Sequence, residues 1–416
     1  MKVKAVRLHA ANDLRLDTFE LPEIKDDEIL VKVMSDSICM STWKTVKQGA
    51  NHKRVPNDVA DHPIIIGHEF AGDIVQVGKK WQDNFQPGQK FAQQPAIPGQ
   101  MESPGYSYAW CGGDTQYCIF PNDIIEAGCL WTCEGDGYFA SSVAEPVSCV
   151  IGGYHTNYHT VPGTYQHVMG TKKGGNIIIL GGCGPMGLGA ISYGLTFENK
   201  PKRIVVTEIN DERINRAREV ISEEEAAAHG VELIYVNTAT MQDQVKGLMA
   251  LTDGKGYDDV FVYIPNRALC EMGNSIMTYG GCMNLFAGPT DMKFSTMIYR
   301  YDWHYSRSNI IGSTGRTMDD MKEAIEKEAQ WLIKSAVMIT HVGGLDSVVE
   351  TTKNLPDVSG GKKLVYTHIN MPMTAIDDFA KLGEQDPFFK ELDAVCKKNR
   401  GLWSAEAEKI LLKHFR

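Results

Sequence analysis

The segment from Gly182 to Gly187 has the spacing G-x-G-x-x-G, which is typical of a turn that holds the phosphates of a dinucleotide. The first glycine permits a tight turn, the second lets the backbone approach a pyrophosphate, and the third lets a helix pack closely on the preceding strand. That helix begins near Pro185 and turns its free N–H groups toward the phosphates. A structural glycine turn is the alternative when the motif is taken alone. We predict a cofactor-binding set of Gly182, Gly184, Pro185, Met186 and Gly187.

A carboxylate stands where a dinucleotide-binding unit needs one. Glu208 ends the β-branched run that starts at Arg203, 21 residues after Gly187, and can accept hydrogen bonds from an adenosine ribose. Because Glu208 would repel a 2′-phosphate, NAD(H) is expected over NADP(H). Arg203 and Arg213 keep NADP(H) open, since either guanidinium could turn toward such a phosphate. We include Arg213 among the cofactor-binding residues.

A second set of side chains could bind a metal ion. Cys39, His68 and Glu69 offer a thiolate, an imidazole and a carboxylate, and Glu145 adds a second carboxylate, which suits Zn²⁺. For Cys39 and His68 taken singly, a buried core thiol and a structural histidine are the alternatives. Pro146 predicts that Glu145 is the last extended residue before a helix, at the junction with the cofactor domain.

The other cysteines follow no repeating framework. In a long chain without an export signal, we expect most of the ten to be reduced and buried. A structural zinc site is not favoured for the tightest set, because it lacks the paired C-x-x-C form: Cys111, Cys118, Cys129 and Cys133.

One stretch is basic in an otherwise acidic chain. No acidic residue lies between Asp36 and Asp58, although the whole chain has a net charge of −10. An ordinary solvated loop would mix signs, so we interpret the excess as an anion site close to the metal cysteine, with a merely basic surface loop as the alternative. Its cations are Lys44, Lys47, Lys53 and Arg54, of which we assign Lys44, Lys53 and Arg54 to a substrate phosphate.

These side chains must be positioned by two kinds of element. Short alternating segments with turn residues between them predict a β-rich first domain, with strands at 3–8, 14–18, 28–34, 72–78 and 90–93. After Gly152, strands alternate with helical patterns, which predicts a doubly wound parallel sheet of the α/β class. Its expected strands are 176–180, 203–208, 232–236, 258–264, 281–287 and 309–312.

The last part of the chain changes pattern again. An amphipathic helix is predicted at 318–336, a strand that returns to the first domain at 361–368, and helices at 387–398 and 405–414. At 416 residues, two domains are the natural expectation. We predict domains at 1–151 and 152–309, completion of the first domain by about 310–371, and a helical extension at 372–416. The extension could cover a subunit edge or pack on the surface.

Bulk composition excludes several classes of protein. Hydrophobic residues make up 43% and charged residues 23%, which argues against disorder and against a fibrous chain. The negative net charge favours neither a nucleic acid nor an anionic membrane as partner. No apolar run has the length of a membrane span, and we expect a cytoplasmic protein.

The chain resembles the zinc-dependent medium-chain dehydrogenase/reductase superfamily, to which alcohol and sorbitol dehydrogenases belong. Within that superfamily it resembles the polyol and sugar-phosphate branch. Five motifs carry the resemblance: GHEF, EPVSCVIG, LGGCGPMGL, FAGP and GGKKLVYT. The resemblance covers about residues 1–370. It implies a GroES-like catalytic domain followed by a Rossmann domain, and a homodimer or homotetramer. Relatives with a structural zinc carry a four-cysteine lobe, and residues 93–107 contain no cysteine, so one zinc is expected.

The resemblance also implies roles for single residues. Cys39, His68 and Glu145 match the catalytic zinc ligands, and Glu69 matches a carboxylate that lies in the metal shell or just behind it. Cys39 and Glu145 already neutralise Zn²⁺, so Glu69 would make the shell anionic and favour its own exchange with water or a substrate oxygen. Ser41 matches the hydroxyl of a proton relay, with a helix-capping serine as the alternative. Lys44 stands where relatives often have a histidine, and it could finish the relay or bind phosphate.

The implied reaction is hydride transfer between NAD(P)H and a ketose phosphate, with L-sorbose 1-phosphate to D-glucitol 6-phosphate as the specific expectation. Zinc would act as a Lewis acid on the substrate oxygen. The alternatives are a dehydrogenase of a free polyol or secondary alcohol, a zinc-free quinone reductase, and a non-catalytic nucleotide-sensing protein on the same fold.

Overall fold

The computed structural model describes residues 1–312 and 317–415, apart from the side chain of Asp302. The chain divides into two compact units. The first comprises Met1–Pro146, Met321–Trp331 and Ser335–Arg416, and the second comprises Val147–Asp320 and Leu332–Lys334. Residues 313–316 and 416, which the predicted domain segments include, lie outside the described residues.

The first part of the chain is β-rich, as predicted. In β1, apolar residues alternate with polar ones along much of the strand and are buried, which is the pattern of a strand with one face on a core. In β3, the last six residues are all buried, Ser35, Asp36 and Ser37 among them. Its strands are β1 (Lys2–Ala10), β2 (Asp13–Glu20), β3 (Ile29–Ile38), β4 (Ile64–Ile65), β5 (Ala71–Val77), β6 (Lys90–Gln93), β7 (Tyr117–Phe120) and β8 (Leu130–Thr132). Its helices are α1 (Met40–Gln48), α2 (Asn122–Glu126) and α3 (Tyr138–Thr156).

The middle part confirms the predicted doubly wound sheet. Its strands are β9 (Tyr158–Thr160), β10 (His167–Met169), β11 (Asn176–Leu180), β12 (Arg203–Glu208), β13 (Glu232–Asn237), β14 (Tyr257–Val262), β15 (Met277–Leu285) and β16 (Asn309–Gly312). Its helices are α4 (Pro185–Thr196), α5 (Asp211–Val220), α6 (Glu223–Ala228), α7 (Gln244–Ala250), α8 (Arg267–Ile276) and α9 (Arg300–Ser306). The sheet order is β13-β12-β11-β14-β15-β16 with parallel pairing throughout, and β9 with β10 forms a separate antiparallel hairpin.

The last part returns to the first unit. It contains α10 (Met318–Ala329), β17 (Ile339–Gly344), α11 (Val348–Lys353), β18 (Lys362–Tyr366), β19 (Thr374–Ala375), α12 (Phe379–Leu382), α13 (Pro387–Lys398) and α14 (Ala405–His414). The predicted return strand is confirmed, because β18 pairs antiparallel with β3 inside the sheet β19-β17-β18-β3-β5-β6-β8. This pairing sets Lys363 opposite Ile38, the residue before Cys39.

Two details differ from the sequence predictions. The helix expected at 318–336 ends at Ala329, because Trp331 takes a φ of 56° in the left-handed region, which a right-handed helix does not contain. The helical extension is more than a surface layer, since Leu392, Trp403 and Leu411 are buried in one core cluster with Phe139 and Tyr366. Among the described residues, no helix has both the length and the apolar character needed to cross a membrane.

Candidate metal centre and cofactor site

Two turns of the backbone, one at the start of α1 and one before β5, position the metal-binding side chains. Cys39 is the residue that precedes α1, and His68 and Glu69 lie in the short segment between β4 and β5. Gly67 in front of them has a φ of 88°, and a Cβ there would lie 2.0 Å from Asp36 Oδ2. Only glycine therefore allows the segment with His68 and Glu69 to pass so close to β3.

Three of the predicted metal-binding residues come together. One ligand atom each from Cys39, His68 and Glu69 lies within 4.8 Å of the others, and His68 and Glu69 are buried. A thiol, an imidazole and a carboxylate are donors that zinc accepts, and ligands on one tetrahedral ion are separated by only a few ångströms. The donor set and its spacing fit a zinc ion after a small contraction.

Glu69 is held from behind by a lysine. Both of its carboxylate oxygens accept hydrogen bonds from Lys362 Nζ, with 2.5 Å to Oε2, and Ser37 Oγ donates to the same oxygen. Burial acts to raise the pKa of Glu69, but the charges of Lys362 and His68 bring it below its ordinary value. Burial likewise opposes the charge of Lys362, yet Glu69 raises the pKa of that lysine. Glu69 is thus an anion held in place next to Cys39 and His68.

Glu145 lies elsewhere than its local sequence suggested. The prediction that it is the last extended residue before a helix is wrong, because α3 runs from Tyr138 through Pro146 to Thr156. Apolar side chains on both sides of the proline are fully buried, and this burial outweighs the local preference of the residue before a proline. Glu145 is 4% exposed, and it is absent from the compact group of ligand atoms. Its charge nevertheless raises the pKa of Cys39.

The thiol of Cys39 is protonated in the metal-free chain at neutral pH. Burial raises its pKa to about 11, Lys362 opposes this shift, and Glu69 and Glu145 add to it. Ser41 Oγ donates a hydrogen bond of 3.0 Å to its sulfur. A metal ion that binds as a cation to the thiolate would therefore have to displace this proton.

A chain of hydroxyl groups surrounds His68. Ser41 Oγ is 3.3 Å and Tyr106 OH is 3.2 Å from His68 Nε2, and Tyr106 OH donates to Ser41 Oγ at 3.0 Å. On the other side of the ring, Thr42 Oγ1 is 3.3 Å from Nδ1. Connected hydroxyls of this kind can pass a proton, and burial raises the pKa of Tyr106 so that it stays a neutral donor.

The basic side chains between positions 44 and 54 lie in different environments. The Arg54 guanidinium lies 5.7 Å from the centre of the Tyr106 ring, and His52 stacks on the same ring at 5.7 Å between centres. Lys44 is half-buried, and burial lowers its pKa while nearby Cys39 raises it. Lys53 is exposed. Lys44 therefore lies within electrostatic range of Cys39, and Arg54 lies against Tyr106.

The predicted cofactor turn has an open face. Gly184 is the N-cap of α4, whose N-terminus has no side-chain cap, and a Cβ on Gly184 would meet no atom within 4 Å. At Gly187, in contrast, a Cβ would lie 2.2 Å from the carbonyl oxygen of Gly182, so this position requires glycine for the contact between turn and helix. The open face and the free N–H groups of Met186 and its neighbours suit a pyrophosphate.

The carboxylate of Glu208 has an unused acceptor. Oε1 accepts from the Ile209 N–H at 2.9 Å, while buried Oε2 has no hydrogen-bond partner among the described residues. Arg213 Nη1 lies 3.8 Å from Oε2, within ion-pair distance. A buried acceptor without a donor is costly unless a ligand supplies one, and a ribose hydroxyl would do so.

Two residues of the site were absent from the sequence prediction. Tyr106 lies in an irregular loop, and no spacing signal in the sequence connects it with His68. Lys362 could have been found, because Lys362 and Lys363 begin a strand in which every residue is buried, and a buried ammonium needs an anion or carbonyl oxygens. Lys363 donates to three backbone carbonyls, whereas Lys362 pairs with Glu69.

Comparisons with known proteins identify the family and the fold of the chain. Residues 25–162 match the family model of the alcohol dehydrogenase GroES-like domain, and residues 185–330 match that of zinc-binding dehydrogenases. A mannitol-1-phosphate 5-dehydrogenase of Aliivibrio fischeri is 47% identical over 97% of this chain and 96% of its own length. An L-sorbose 1-phosphate reductase of Klebsiella pneumoniae is 45% identical over 99% of this chain and 97% of its own. The crystal structure of 2R,3R-butanediol dehydrogenase from Bacillus subtilis has the same fold, with 21% identity, a TM-score of 0.71, and coverage of 88% of this chain and 99% of that one.

Proposed function

Since this chain belongs to the zinc-binding alcohol dehydrogenase family, we propose that it interconverts a ketose phosphate and a polyol phosphate, with L-sorbose 1-phosphate and D-glucitol 6-phosphate as the pair. Two relatives with 45–47% identity over nearly the whole chain are named for phosphorylated six-carbon sugars or polyols. The enzyme is a zinc-dependent oxidoreductase that uses a nicotinamide cofactor.

One observation carries the preference for a phosphorylated substrate. Arg54 lies over the ring of Tyr106, and the hydroxyl of that tyrosine reaches His68 at 3.2 Å. A guanidinium is thus one aromatic ring away from a candidate metal ligand, and it can bind a phosphate through two parallel hydrogen bonds. A free sugar needs no such cation, whereas a sugar phosphate gains from it.

The protein's own groups have separate tasks in this proposal. Cys39, His68 and, by resemblance to the family, Glu145 would hold the zinc, and Glu69, which lies in the compact group with Cys39 and His68, would be in or beside the shell. Bound zinc would stabilise negative charge that develops on the substrate oxygen. Ser41 would transfer a proton to that oxygen, and Tyr106, which donates to Ser41, would keep its hydroxyl oriented.

The cofactor would be held by the second unit. Gly182, Gly184, Pro185, Met186 and Gly187 would cradle the pyrophosphate, and Glu208 would accept a hydrogen bond from the adenosine ribose. The unpartnered Oε2 of Glu208 and the uncapped N-terminus of α4 support these roles. NAD(H) is proposed over NADP(H), with Arg213 as the residue that could oppose this preference.

Lys44 and Arg54 lie at different positions, so substituting each in turn can test which carbon of the substrate carries the phosphate. In a ketose 1-phosphate the phosphate is attached to the carbon next to the carbonyl, whereas in a ketose 6-phosphate three carbons lie between. Lys44, which is five residues after Cys39 and within electrostatic range of it, suits the nearer phosphate. Arg54, which lies beyond the Tyr106 ring, suits a phosphate farther from the metal.

The experiment measures kcat and KM for L-sorbose 1-phosphate, D-fructose 6-phosphate and the two free ketoses. Wild type is expected to prefer L-sorbose 1-phosphate. Lys44→Ala, Lys53→Ala and Arg54→Ala are compared, and loss of one phosphate contact should raise KM roughly 10- to 150-fold, or ~1.5–3 kcal/mol for a hydrogen bond to a charged group. Lys47→Ala is the matched control, because Lys47 belongs to the same basic stretch but lies over Trp43.

The outcomes separate the possible substrates. A wild type that prefers the free sugars contradicts the proposal and favours a free-polyol dehydrogenase. If wild type prefers D-fructose 6-phosphate and only Arg54→Ala raises its KM, the substrate is a ketose 6-phosphate. If none of the substitutions reduces the difference in KM between phosphorylated and free ketose, the basic stretch is not the phosphate site.

A further inference from the structure

The C-terminal extension contains a carboxylate that is almost fully buried. Glu408 in α14 is 2% exposed. Its two carboxylate oxygens accept hydrogen bonds from the backbone N–H groups of Tyr138 at 2.6 Å and Phe139 at 2.9 Å, and from Tyr366 OH at 2.7 Å. Trp403 in turn donates its indole N–H to Tyr366 OH at 2.8 Å. Both oxygens of this carboxylate therefore accept hydrogen bonds from other elements.

Two of these bonds cap the helix α3. The first N–H groups of a helix have no partner within the helix, and an anion near them also interacts favourably with the helix dipole. The first turn of α3 has no acidic residue of its own. The cap comes instead from Glu408, which is 270 residues later in the chain than Tyr138.

The capped helix carries a candidate zinc ligand. Glu145 follows Tyr138 by seven residues, which is about two turns or roughly 10 Å along the axis on the same helix face. The third hydrogen bond, from Tyr366, connects Glu408 to the strand that holds Glu69. Tyr366 is the last residue of β18, and Lys362, which holds Glu69, is its first.

We propose that the C-terminal extension positions the zinc ligands, with Glu408 as the positioning residue that joins α3 to β18. A single carboxylate fixes the start of the helix that bears Glu145 and the end of the strand that bears Lys362. The proposal rests on the proposed function in that it takes Glu145 as a zinc ligand. It gives the extension a task at the metal centre, although Glu408 touches neither metal nor substrate.

The test compares the rate of zinc release to an excess of chelator with the melting temperature of the metal-free protein. Glu408→Gln keeps the size of the side chain but turns an N–H₂ group toward N–H donors, so zinc release should accelerate about tenfold, the lower limit seen when a residue that supports a metal ligand is changed. Glu406→Gln is the matched control, because Glu406 lies in the same helix and forms an exposed ion pair with Lys398. It should release zinc at the wild-type rate.

A second variant separates positioning from general stability. Trp403→Phe removes one hydrogen bond and some volume from the same core cluster without touching the α3 cap. It should lower the melting temperature and leave zinc release unchanged. If Trp403→Phe and Glu408→Gln accelerate release equally at equal loss of stability, or if Glu408→Gln releases zinc at the wild-type rate, the proposal is overturned.

Glu145→Ala separates the positioning role of Glu408 from the role of Glu145 as a zinc ligand. If it accelerates zinc release and Glu408→Gln does not, the positioning role alone is wrong. If Glu145→Ala releases zinc at the wild-type rate, Glu145 is not a ligand, and the positioning role is overturned together with that part of the proposed function.

Discussion

Lys362 and Glu69 form a buried ion pair between residues that are 293 positions apart in the chain. The Nζ atom lies 2.5 Å from Oε2, and only 6% and 1% of the two side chains are exposed. The pair joins β18, which comes from the last part of the chain, to the segment that carries His68. It thereby determines which way the carboxylate of Glu69 can point.

Breaking this pair should destabilise the protein strongly. Lys362→Met leaves a buried, uncompensated carboxylate, and we expect a loss of about 3–5 kcal/mol in the free energy of unfolding. Urea denaturation of the metal-free protein measures it. The double variant Lys362→Met with Glu69→Gln removes both charges and should recover most of the loss. A double variant as unstable as the single lysine variant would contradict the account.

Zinc binding should release a proton from Cys39. The metal-free thiol has a pKa of about 11, so between pH 7.5 and 9.5 it is protonated before binding and must become a thiolate to bind zinc. Calorimetry in buffers of different ionisation enthalpy should show about one proton released per zinc from this group, and affinity that rises with pH. Cys39→Ser should release fewer protons and bind zinc more weakly. Unchanged proton release in that variant would show that another group titrates.

Ser41 should affect turnover more than substrate binding. If its hydroxyl transfers the proton, Ser41→Ala should lower kcat about 100-fold with little change in KM. Tyr106→Phe removes the donor to Ser41 and should have a smaller effect in the same direction. Thr45→Val is a control from the same helix, since Thr45 donates to the Ser41 carbonyl and not to its side chain. A Ser41→Ala enzyme with wild-type kcat would leave Ser41 as a helix residue only.

The cofactor preference should follow Glu208. In the proposed cofactor site the Glu208 carboxylate would lie beside the ribose and disfavour a 2′-phosphate, so kcat/KM for NADH should exceed that for NADPH at least about tenfold, or ~1.4 kcal/mol. Glu208→Gln should narrow this ratio by improving use of NADPH. Glu212→Gln, which changes an exposed carboxylate in the first turn of α5, serves as control. A wild type that prefers NADPH would mean that Arg213 dominates over Glu208.

Glu328 should make stability depend on pH. Burial raises its pKa to about 8, although Ser335 Oγ donates to it at 2.8 Å. In the unfolded chain the same group titrates near 4.5. Between these two values the folded protein binds the extra proton, so stability from this group is present at low pH and falls as pH rises, by at most about 1.4 kcal/mol per pH unit.

Denaturation midpoints at pH 5, 6.5 and 8 check this dependence. Glu328→Gln keeps a neutral side chain of similar shape and should remove the contribution of Glu328 to the pH dependence of stability. Glu326→Gln changes an exposed residue of the same helix, which forms an ion pair with Lys322, and should leave the pH dependence of stability unchanged. Equal slopes in wild type and Glu328→Gln would exclude Glu328 as the source.

The local sequence was sufficient to predict the strands, the turn and the helix of the proposed cofactor-binding unit. Gly182 to Gly187, the strand before it and Glu208 after it were predicted with their boundaries, and the structure has β11, α4 and β12 at those positions. These features depend on neighbours within a few residues, where backbone sterics and strand burial act directly. The same holds for the return strand and the two tail helices, because each has its own apolar period.

The pairing of distant residues was decided by the tertiary structure alone. Tyr106 reaches His68 from a loop without a periodic pattern, and Lys362 reaches Glu69 because β18 pairs with β3 in one register. Glu145 contradicts its local signal, since the burial of apolar neighbours on both sides of Pro146 keeps the helix α3 continuous. Spacing along a chain carries information about near neighbours, whereas sheet register and core packing determine which distant side chains meet, and no short sequence window contains both partners.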